Sequence, residues 1–428
     1  MKQDAWQSVS VDQLQVGQFV RLGHRWFEHP FLLNRFRIAS DKEIAIIRNA
    51  QLTQIFVDPV RSAAATNVVP VDPAFDTEDG AISGDIASTV QLQSRKAAFA
   101  ERVRSQHESL AATRDHYASA VVACRGTFEQ LAAGNNGAAA AAGTLVQALV
   151  GFATGHGSPL TFASASKPED AAGLAACRAL DAAAIAAAVG RRLGLKPQGL
   201  ATLTTAALVH AVGIGDLPST MRDEATIRDP ETLLDFRQYP VLGADVLRRC
   251  GGFPSEVLQI VRQHRERLDG TGFAEGARGD QIHAYARVIG AIHEFQLFSE
   301  REQSTMPATA LGHLFRKLRG AYGPVAVDNV IAALTIYPPG TFLTLNDGSI
   351  GRVVQVSEQA RLRPTVCLFD DTVTPAEAQI IDLADTDALS VARVLDPDQL
   401  AGEVREFFGG GWSGITFGHH GVAASQAA

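Results

Sequence analysis

The chain has 428 residues, 46% of them hydrophobic and 20% charged, which is enough for about two to four globular domains. Its formal net charge of −8 argues against non-specific binding to nucleic acid or to an anionic membrane. No apolar run reaches the roughly 20 residues of a membrane-spanning helix, and the N-terminus lacks the apolar core of a signal peptide. The four cysteines are scattered without a Cys-x-x-Cys pair, which predicts reduced thiols in a cytoplasmic protein.

The N-terminal segment has the pattern of a small α+β domain. Short β-branched and aromatic runs at 16–22 and 54–59 predict two strands. Between them, the segment 40–50 begins with Ser40, has a glutamate three residues later and spaces its apolar residues as a helix does. Residues 1–62 are therefore expected to fold as one small unit.

Residues 63–152 are expected to be a linker followed by a helical connector. The stretch 63–88 is rich in Ala, Pro, Asp and Gly and has no apolar periodicity. From Val90 to Leu131, apolar residues recur at steps of three and four, which predicts a long amphipathic helix or a helical hairpin. An Asn-Asn-Gly sequence at 135–137 is expected to break it. This connector either joins two domains or pairs with a partner helix in a dimer.

Residues 153–335 are expected to form an α-helical domain without strands. The nearly all-apolar stretch 200–212 predicts a buried helix. The alanine-rich run before Gly194 predicts a helix that ends at this glycine. Further helices are expected at 240–250, 255–267 and 285–299.

The pattern changes to short strands in the last quarter of the chain. Strand-forming runs recur, the first two separated by an Asp-Gly turn pair: 341–345, 350–356 and 364–369. Residues 336–400 are therefore expected to be a small β extension, and 401–428 a flexible tail. The predicted fold is a multi-domain, mainly α protein with a small α+β domain at its N-terminus and a β extension near its C-terminus.

Two motifs, HAVGIGDLP at 210–218 and QHRERLDGTGF at 263–273, look like altered metal-site motifs. In the first, an alanine follows His210 where an aspartate would complete a His-Asp pair. In the second, an arginine follows His264 where a second histidine would complete a His-His pair. Phosphodiester hydrolysis with two or more metal ions needs clustered histidine and carboxylate ligands, because carboxylates bridge the metals and offset their charge. The two motifs indicate such a site with an incomplete set of ligands.

In their order along the chain, these motifs resemble the HD-GYP family, bacterial phosphodiesterases of the HD superfamily that hydrolyse cyclic di-GMP. The resemblance covers about residues 160–335, and segments at 11–20 and 337–343 are similar to the small domain before and the β extension after that domain. It implies a helical HD-superfamily domain, a divalent metal centre and a cyclic di-GMP ligand. The loop that corresponds to the Gly-Tyr-Pro motif consists of Asp269, Gly270, Thr271, Gly272 and Phe273.

When this sequence is compared with the family at each metal-ligand position, few ligands are retained. His210 and His264 match family histidines, and no carboxylate remains at a matched ligand position. The other family ligand positions are occupied here by Arg178, Ala211, Tyr239, Arg265 and His293. Since guanidinium groups remain cationic, the two arginines would repel a divalent ion.

We therefore expect a site without a metal cofactor. The alternative is that the imidazoles of His210, His264 and His293 together hold one divalent ion, such as Fe, Mn or Zn. Taken singly, each of these histidines is more typical of a helix cap, a core residue or a solvent-facing residue. Their common match to family site positions predicts a shared pocket.

Three arginines are candidates for binding phosphate through the bidentate guanidinium fork: Arg178, Arg265 and Arg301. In this hypothesis the first two replace the positive charge of the metals, and the pocket binds a phosphodiester without cutting it. The alternative is that Arg178 and Arg265 pair with nearby acids, for example Glu266, or face solvent.

Three functions are compatible with these residues. The favoured one is a catalytically impaired signalling protein of the cyclic di-GMP phosphodiesterase family, which binds cyclic di-GMP, another phosphorylated ligand or a signalling protein. The second is an active metal-dependent phosphohydrolase with a reduced histidine site. The third is a structural module that forms a homodimer through its helical connector, and light scattering that shows a monomer would exclude it. Neither a membrane nor a nucleic acid is an expected partner.

Overall fold

The computed structural model describes most of the chain. The described ranges are 6–31, 33–63, 86–154, 160–164, 170–222, 227–301, 307–357, 359–409 and 413–417. They form an N-terminal sheet with its helix, a helical part and a C-terminal sheet. This mainly α architecture with small β-containing parts confirms the fold class predicted from the sequence.

The N-terminal part is a small antiparallel sheet covered by one helix. Its strands are β1 Gln7–Val9, β2 Phe19–Leu22, β3 Arg35–Arg37 and β4 Ile55–Asp58. They lie in the order β1-β4-β2-β3. Helix α1, Asp41–Asn49, buries Ile44 and Ile47 in the same core as Val20, and the short helix α2, Pro59–Ala63, follows β4. Both predicted strands and the predicted helix are present.

The helical part carries the motif residues. Its helices are α3 Ile86–Ala132, α4 Ala138–Thr154, α5 Ala171–Arg192, α6 Pro197–Val209, α7 Pro230–Phe236, α8 Tyr239–Cys250, α9 Ser255–Gln263, α10 Ala284–Arg301, α11 Pro307–His313, α12 Arg319–Tyr322 and α13 Pro324–Leu334. The predicted break at 135–137 separates α3 from α4. Gly194 follows the end of α5 with a φ of +66°, the left-handed conformation that glycine adopts at helix C-termini. α9 is shorter than predicted, since it ends just before His264.

α5 lies at the centre of the helical part. Its residues 182–189 are all buried, and α6 approaches so closely that a side chain at Gly190 would overlap Leu200. α5 has the length and apolarity of a membrane-spanning helix, but most of it is buried inside the protein, as in the core helix of a globular domain. α3 packs on it too, and the Tyr117 hydroxyl donates to Asp181 Oδ1 at 2.7 Å. The predicted connector helix is thus packed on the helical core of its own chain.

The C-terminal part is a second antiparallel sheet. Its strands are β5 Leu160–Ser164, β6 Phe342–Leu345, β7 Ile350–Val356, β8 Thr365–Leu368, β9 Ile380–Asp382, β10 Val391–Leu395 and β11 Ser413–Phe417. Five of them follow the order β10-β6-β7-β5-β11, while β8 pairs with β7 and with β9. A short helix, α14 Gly402–Phe407, lies between β10 and β11 in the chain. The predicted Asp-Gly hairpin is β6–β7, and the predicted third strand is β8.

The structure corrects two expectations about this sheet. β5 lies inside the region predicted to be purely helical, and β11 lies inside the predicted flexible tail. These strands pair with each other, Leu160 opposite Phe417, and β5 also pairs with β7. Each run is only five residues long, too short for its apolar pattern to separate a strand from a loop. β5 and β11 are recognisable as strands only through their pairing with strands that are distant in the sequence.

The N-terminal part docks directly on the C-terminal sheet. Trp26 Nε1 donates to the Glu377 carbonyl at 2.8 Å, and Asn34 Nδ2 donates to Asp370 Oδ2 at 2.6 Å. Trp26 is almost fully buried by this contact and by the start of α3. The two β-containing parts therefore contact each other directly. The motif residues lie in the helical part, which comes between them along the chain.

Candidate functional site

Three histidines converge where α6, α9 and α10 meet. His210 directly follows α6, His264 directly follows α9, and His293 lies within α10. One ring nitrogen from each lies within 4.8 Å of the other two, and His210 Nε2 is 3.0 Å from His293 Nδ1. We refer to these three residues as the histidine cluster. At these separations one ion or one hydrogen-bond network can join all three side chains.

The backbone fixes which ring nitrogens face the cluster. His210 Nδ1 lies 2.7 Å from the Ala207 carbonyl, and His264 Nδ1 lies 2.7 Å from the Val261 carbonyl. These carbonyls belong to the last turns of α6 and α9, where helix carbonyls lack intrahelical partners. A carbonyl only accepts, so both histidines carry their proton on Nδ1 and present an unprotonated Nε2 to the cluster. This is the arrangement by which proteins orient metal-binding histidines.

Burial keeps the histidine cluster uncharged. Burial first, and the nearby charge of Arg265 to a smaller extent, lower the pKa of His210 from 6.5 to about 4. The pKa values of His264 and His293 are held well below the ordinary value, first by burial and then by neighbouring charges that include Arg265. His210 and His264 are almost inaccessible, while His293 is only partly buried and is the member nearest to solvent. At neutral pH the cluster therefore offers three neutral imidazoles.

These pKa shifts predict that acid destabilises the metal-free protein. Between pH 6.5 and about pH 4 the unfolded chain binds a proton at His210 that the folded chain does not, so stability falls as the pH is lowered through this window. For His210 alone the loss amounts to about 3 kcal/mol at pH 4. Urea unfolding across this pH range should show a weaker pH dependence for His210→Gln than for the wild type. An unchanged slope in His210→Gln would contradict the lowered pKa of His210.

Tyr239 stands where the resemblance places a histidine ligand, and it is hydrogen-bonded to the cluster. Its hydroxyl is 2.9 Å from His264 Nε2. Since that nitrogen is unprotonated, the tyrosine donates. Tyr239 begins α8 and is 1% exposed, packed against Phe236 and Phe273. Ala211, at the position of the family aspartate, leads into the 3-10 turn Val212–Asp216 and brings no carboxylate to the cluster.

The buried Arg265 lies beside the cluster and pairs with Glu294, not with Glu266. Arg265 is 5% exposed, and its Nη1 lies 3.7 Å from Glu294 Oε1. Arg267 Nη2 lies 3.1 Å from the same oxygen, and the Tyr322 hydroxyl donates to it at 3.1 Å. Although burial raises the pKa of Glu294, the two arginines hold it below the ordinary value, so this carboxylate is ionised. Sequence analysis missed Glu294, whose only signal is its position directly after His293.

Glu266 has a structural role in the loop that follows. Its buried carboxylate accepts hydrogen bonds from the backbone N–H groups of Glu275 and Gly276, at 2.7 and 2.8 Å. Arg265 therefore pairs with a nearby acid, as the alternative expected, but this acid is Glu294 and not the example Glu266. The carboxylate of Glu266 instead fixes the far end of the loop that contains the Gly-Tyr-Pro-like segment.

The Gly-Tyr-Pro-like loop is a tight turn stacked against two arginines. Asp269 Oδ1 accepts from the backbone N–H and the hydroxyl of Thr271, at 2.9 and 2.7 Å. Gly270 has a φ of +79°, and a side chain at Gly272 would overlap the backbone of residues 265–267. The loop ends at Phe273, whose ring centroid is 5.0 Å from the guanidinium carbon of Arg265. None of these residues directs a ligand atom into the histidine cluster, so the loop shapes its wall.

The other two candidate arginines lie farther out. Arg178 is exposed on α5, and its charge contributes to the lowered pKa of His293, which places it on the accessible side of the cluster. Gln296 Nε2 donates to the Arg178 carbonyl at 2.8 Å and ties α5 to α10. Arg301 ends α10, and its side chain lies outside the described residues.

Three family models match the chain in succession. A domain of unknown function, DUF3391, matches residues 7–142. An HD domain matches residues 163–319, which include the whole histidine cluster. A KOW domain associated with the HD domain matches residues 342–403.

Curated proteins are similar to this chain at low identity. The cyclic di-GMP phosphodiesterase PA4108 of Pseudomonas aeruginosa is 24% identical over 383 residues, covering 88% of each chain. The cyclic di-GMP phosphodiesterase PdeB of Borreliella burgdorferi is 24% identical over 182 residues, covering 42% of this chain and 48% of that protein. Among solved structures, the HDGYP protein Bd1817 of Bdellovibrio bacteriovorus overlaps with 76% of this chain and 98% of its own, with a TM-score of 0.39 and 15% identity. The three matched models show that the chain contains an HD domain, with a DUF3391 domain before it and a KOW domain associated with HD domains after it.

Proposed function

We propose that this protein is a catalytically impaired signalling relative of the cyclic di-GMP phosphodiesterases, which binds cyclic di-GMP without hydrolysing it. One observation carries the proposal: the ligand cluster found among the described residues has three imidazoles and no carboxylate. A centre of two or more divalent ions needs anionic ligands to bridge the ions and offset their charge. Three neutral imidazoles beside the buried guanidinium of Arg265 provide neither.

The hydrogen bonds of the cluster support a metal-free pocket. The Tyr239 hydroxyl donates to His264 Nε2 at 2.9 Å. His210 Nε2 accepts in the same way from His293 Nδ1, 3.0 Å away. Both inward-facing lone pairs are therefore already used, and a metal ion at His264 would first have to displace the tyrosine hydroxyl. The cluster is satisfied as a hydrogen-bond network on its own.

The charges around the cluster suit a phosphodiester anion. Arg265 and Arg267 share the single carboxylate of Glu294, and Arg178 adds a positive charge on the accessible side. The guanidinium fork matches phosphate oxygens in a bidentate way. In this proposal the arginines supply the charge that binds the ligand, and no group of the site activates a water molecule.

Binding without metal is the first test. Equilibrium dialysis of the chelator-treated protein with cyclic di-GMP should show saturable binding, and Arg178→Gln should raise the Kd about tenfold, because a charged hydrogen bond is lost. Arg248→Gln is the matched control, since Arg248 is exposed on α8 and pairs with Asp245. Absence of saturable binding, or binding only after a divalent metal is added, would contradict the proposal.

A second candidate is an active phosphohydrolase with one divalent ion. The observation that favours it is the cluster itself, since three imidazoles are a known ligand set for a single catalytic zinc ion, and His210 and His264 turn their unprotonated Nε2 atoms toward its centre. The residues fit one such ion, held by His210, His264 and His293, and they do not fit a bridged pair. When bound, the ion would polarise the phosphate and lower the pKa of a water molecule. This candidate requires about one metal per chain in elemental analysis.

The remaining parts of the proposal concern the cellular setting. We place the protein in the cytoplasm, where cyclic di-GMP signalling takes place, with a signalling protein as a further partner. We also propose that the chain divides into domains at 1–62, 153–335 and 336–400, and that 63–152 is a linker followed by a helical connector. Since α3 packs on α5 of its own chain, a homodimer would have to use the outer face of this helix.

A further inference from the structure

Arg237 lies in the wall of the histidine site. It directly follows α7 and precedes Tyr239 by two residues. Its guanidinium carbon lies 5.5 Å from the ring centroid of Phe273, and that of Arg265 lies 5.0 Å from the same centroid. The Phe273 ring in turn lies 6.3 Å from the ring of Tyr239, which contacts His264. One phenylalanine therefore holds two guanidinium groups next to the cluster.

Arg237 lacks the carboxylate that its neighbouring arginines have. Among the described residues, no Asp or Glu lies within 4.0 Å of its guanidinium, and its buried Nε–H has no acceptor. The surrounding helices show the opposite pattern: Arg248 pairs with Asp245, Arg249 with Asp216 and Arg262 with Glu275. A buried, charged donor without an acceptor is unfavourable and rare in folded proteins. A bound anion would supply the missing acceptor.

We propose that Arg237 binds a phosphate group of the phosphodiester ligand, together with Arg265. This inference rests on the proposed function and extends it to a residue outside the family's metal-site positions. Arginine stacked on an aromatic ring is fixed in orientation, so its donors are arranged before the ligand arrives. Two guanidinium groups on one ring can contact a single phosphodiester or two neighbouring phosphates. Phe273, in the Gly-Tyr-Pro-like loop, is then the support for both cations.

The test compares cyclic di-GMP binding by four full-length proteins: wild type, Arg237→Gln, Arg237→Lys and Arg248→Gln. We expect Arg237→Gln to raise the Kd about tenfold or more, as for loss of a charged hydrogen bond. Arg237→Lys keeps the positive charge but loses the bidentate guanidinium geometry, and its Kd should lie between those of the wild type and Arg237→Gln. Arg248→Gln should stay within about twofold of the wild type, since its charge is already paired on the surface.

Thermal unfolding midpoints accompany each binding curve and show that every variant is folded. If Arg237→Gln loses stability, the Arg237→Lys protein alone still tests the inference. Wild-type binding together with unchanged affinity in both Arg237 variants overturns the inference and leaves the proposed function intact. Failure of the wild type itself to bind cyclic di-GMP overturns both.

Discussion

Gly213→Ala is expected to destabilise the protein by about 3 kcal/mol or more, because the added methyl group has no space. Gly213 lies in the 3-10 turn Val212–Asp216, inside the first motif, and it packs against the start of α8. A Cβ at this position would overlap the Tyr239 carbonyl oxygen and the backbone of Gly243. These are backbone atoms, which cannot rotate away as a side chain can. The whole of α8 would have to shift, and Tyr239 would move with it.

Urea unfolding of Gly213→Ala and Gly215→Ala measures this effect. Gly215 lies in the same turn, but a Cβ there meets nothing within 4 Å. Its substitution should therefore change the free energy of unfolding by about 0.5 kcal/mol or less. Equal changes in the free energy of unfolding for the two substitutions would show that Gly213 does not lie in close contact with the backbone of α8.

The helices were predictable because their sequence signals are local. The apolar run that becomes α6, the break at 135–137 and Gly194 after α5 are each readable within a few residues. The helix ends at the two histidines were not readable in this way, because the predicted helices at 200–212 and 255–267 run past His210 and His264, whereas α6 and α9 end just before them.

The partners of the buried charges were not predictable. Arg265 pairs with Glu294, a residue of another helix, whereas the nearby Glu266 turns its carboxylate to two backbone N–H groups of its own loop. The choice depends on how α9 and α10 pack, which no local pattern encodes. The same holds for β5 and β11, whose pairing joins distant segments, and for the hydrogen bond between Tyr239 and His264, which sequence reasoning had treated as the loss of a ligand.

We expect this protein not to hydrolyse cyclic di-GMP. Among the described residues, no carboxylate belongs to the histidine cluster, and Arg265 lies beside it, so these residues do not supply the anionic ligands of a two-metal centre. Its inward-facing lone pairs are hydrogen-bonded within the protein. The protein should bind cyclic di-GMP and release it unchanged, even when manganese or iron is present in excess.

The most direct test of this claim is a hydrolysis assay with more protein than nucleotide. Purified protein is incubated with cyclic di-GMP and Mn²⁺, or with Fe²⁺ under anaerobic conditions, and the nucleotides are separated by chromatography. We expect cyclic di-GMP to be recovered intact while equilibrium dialysis of the same preparation shows it bound. Formation of the linear dinucleotide or GMP by the wild type, abolished in His210→Ala, would contradict the proposed function and favour the single-ion hydrolase instead.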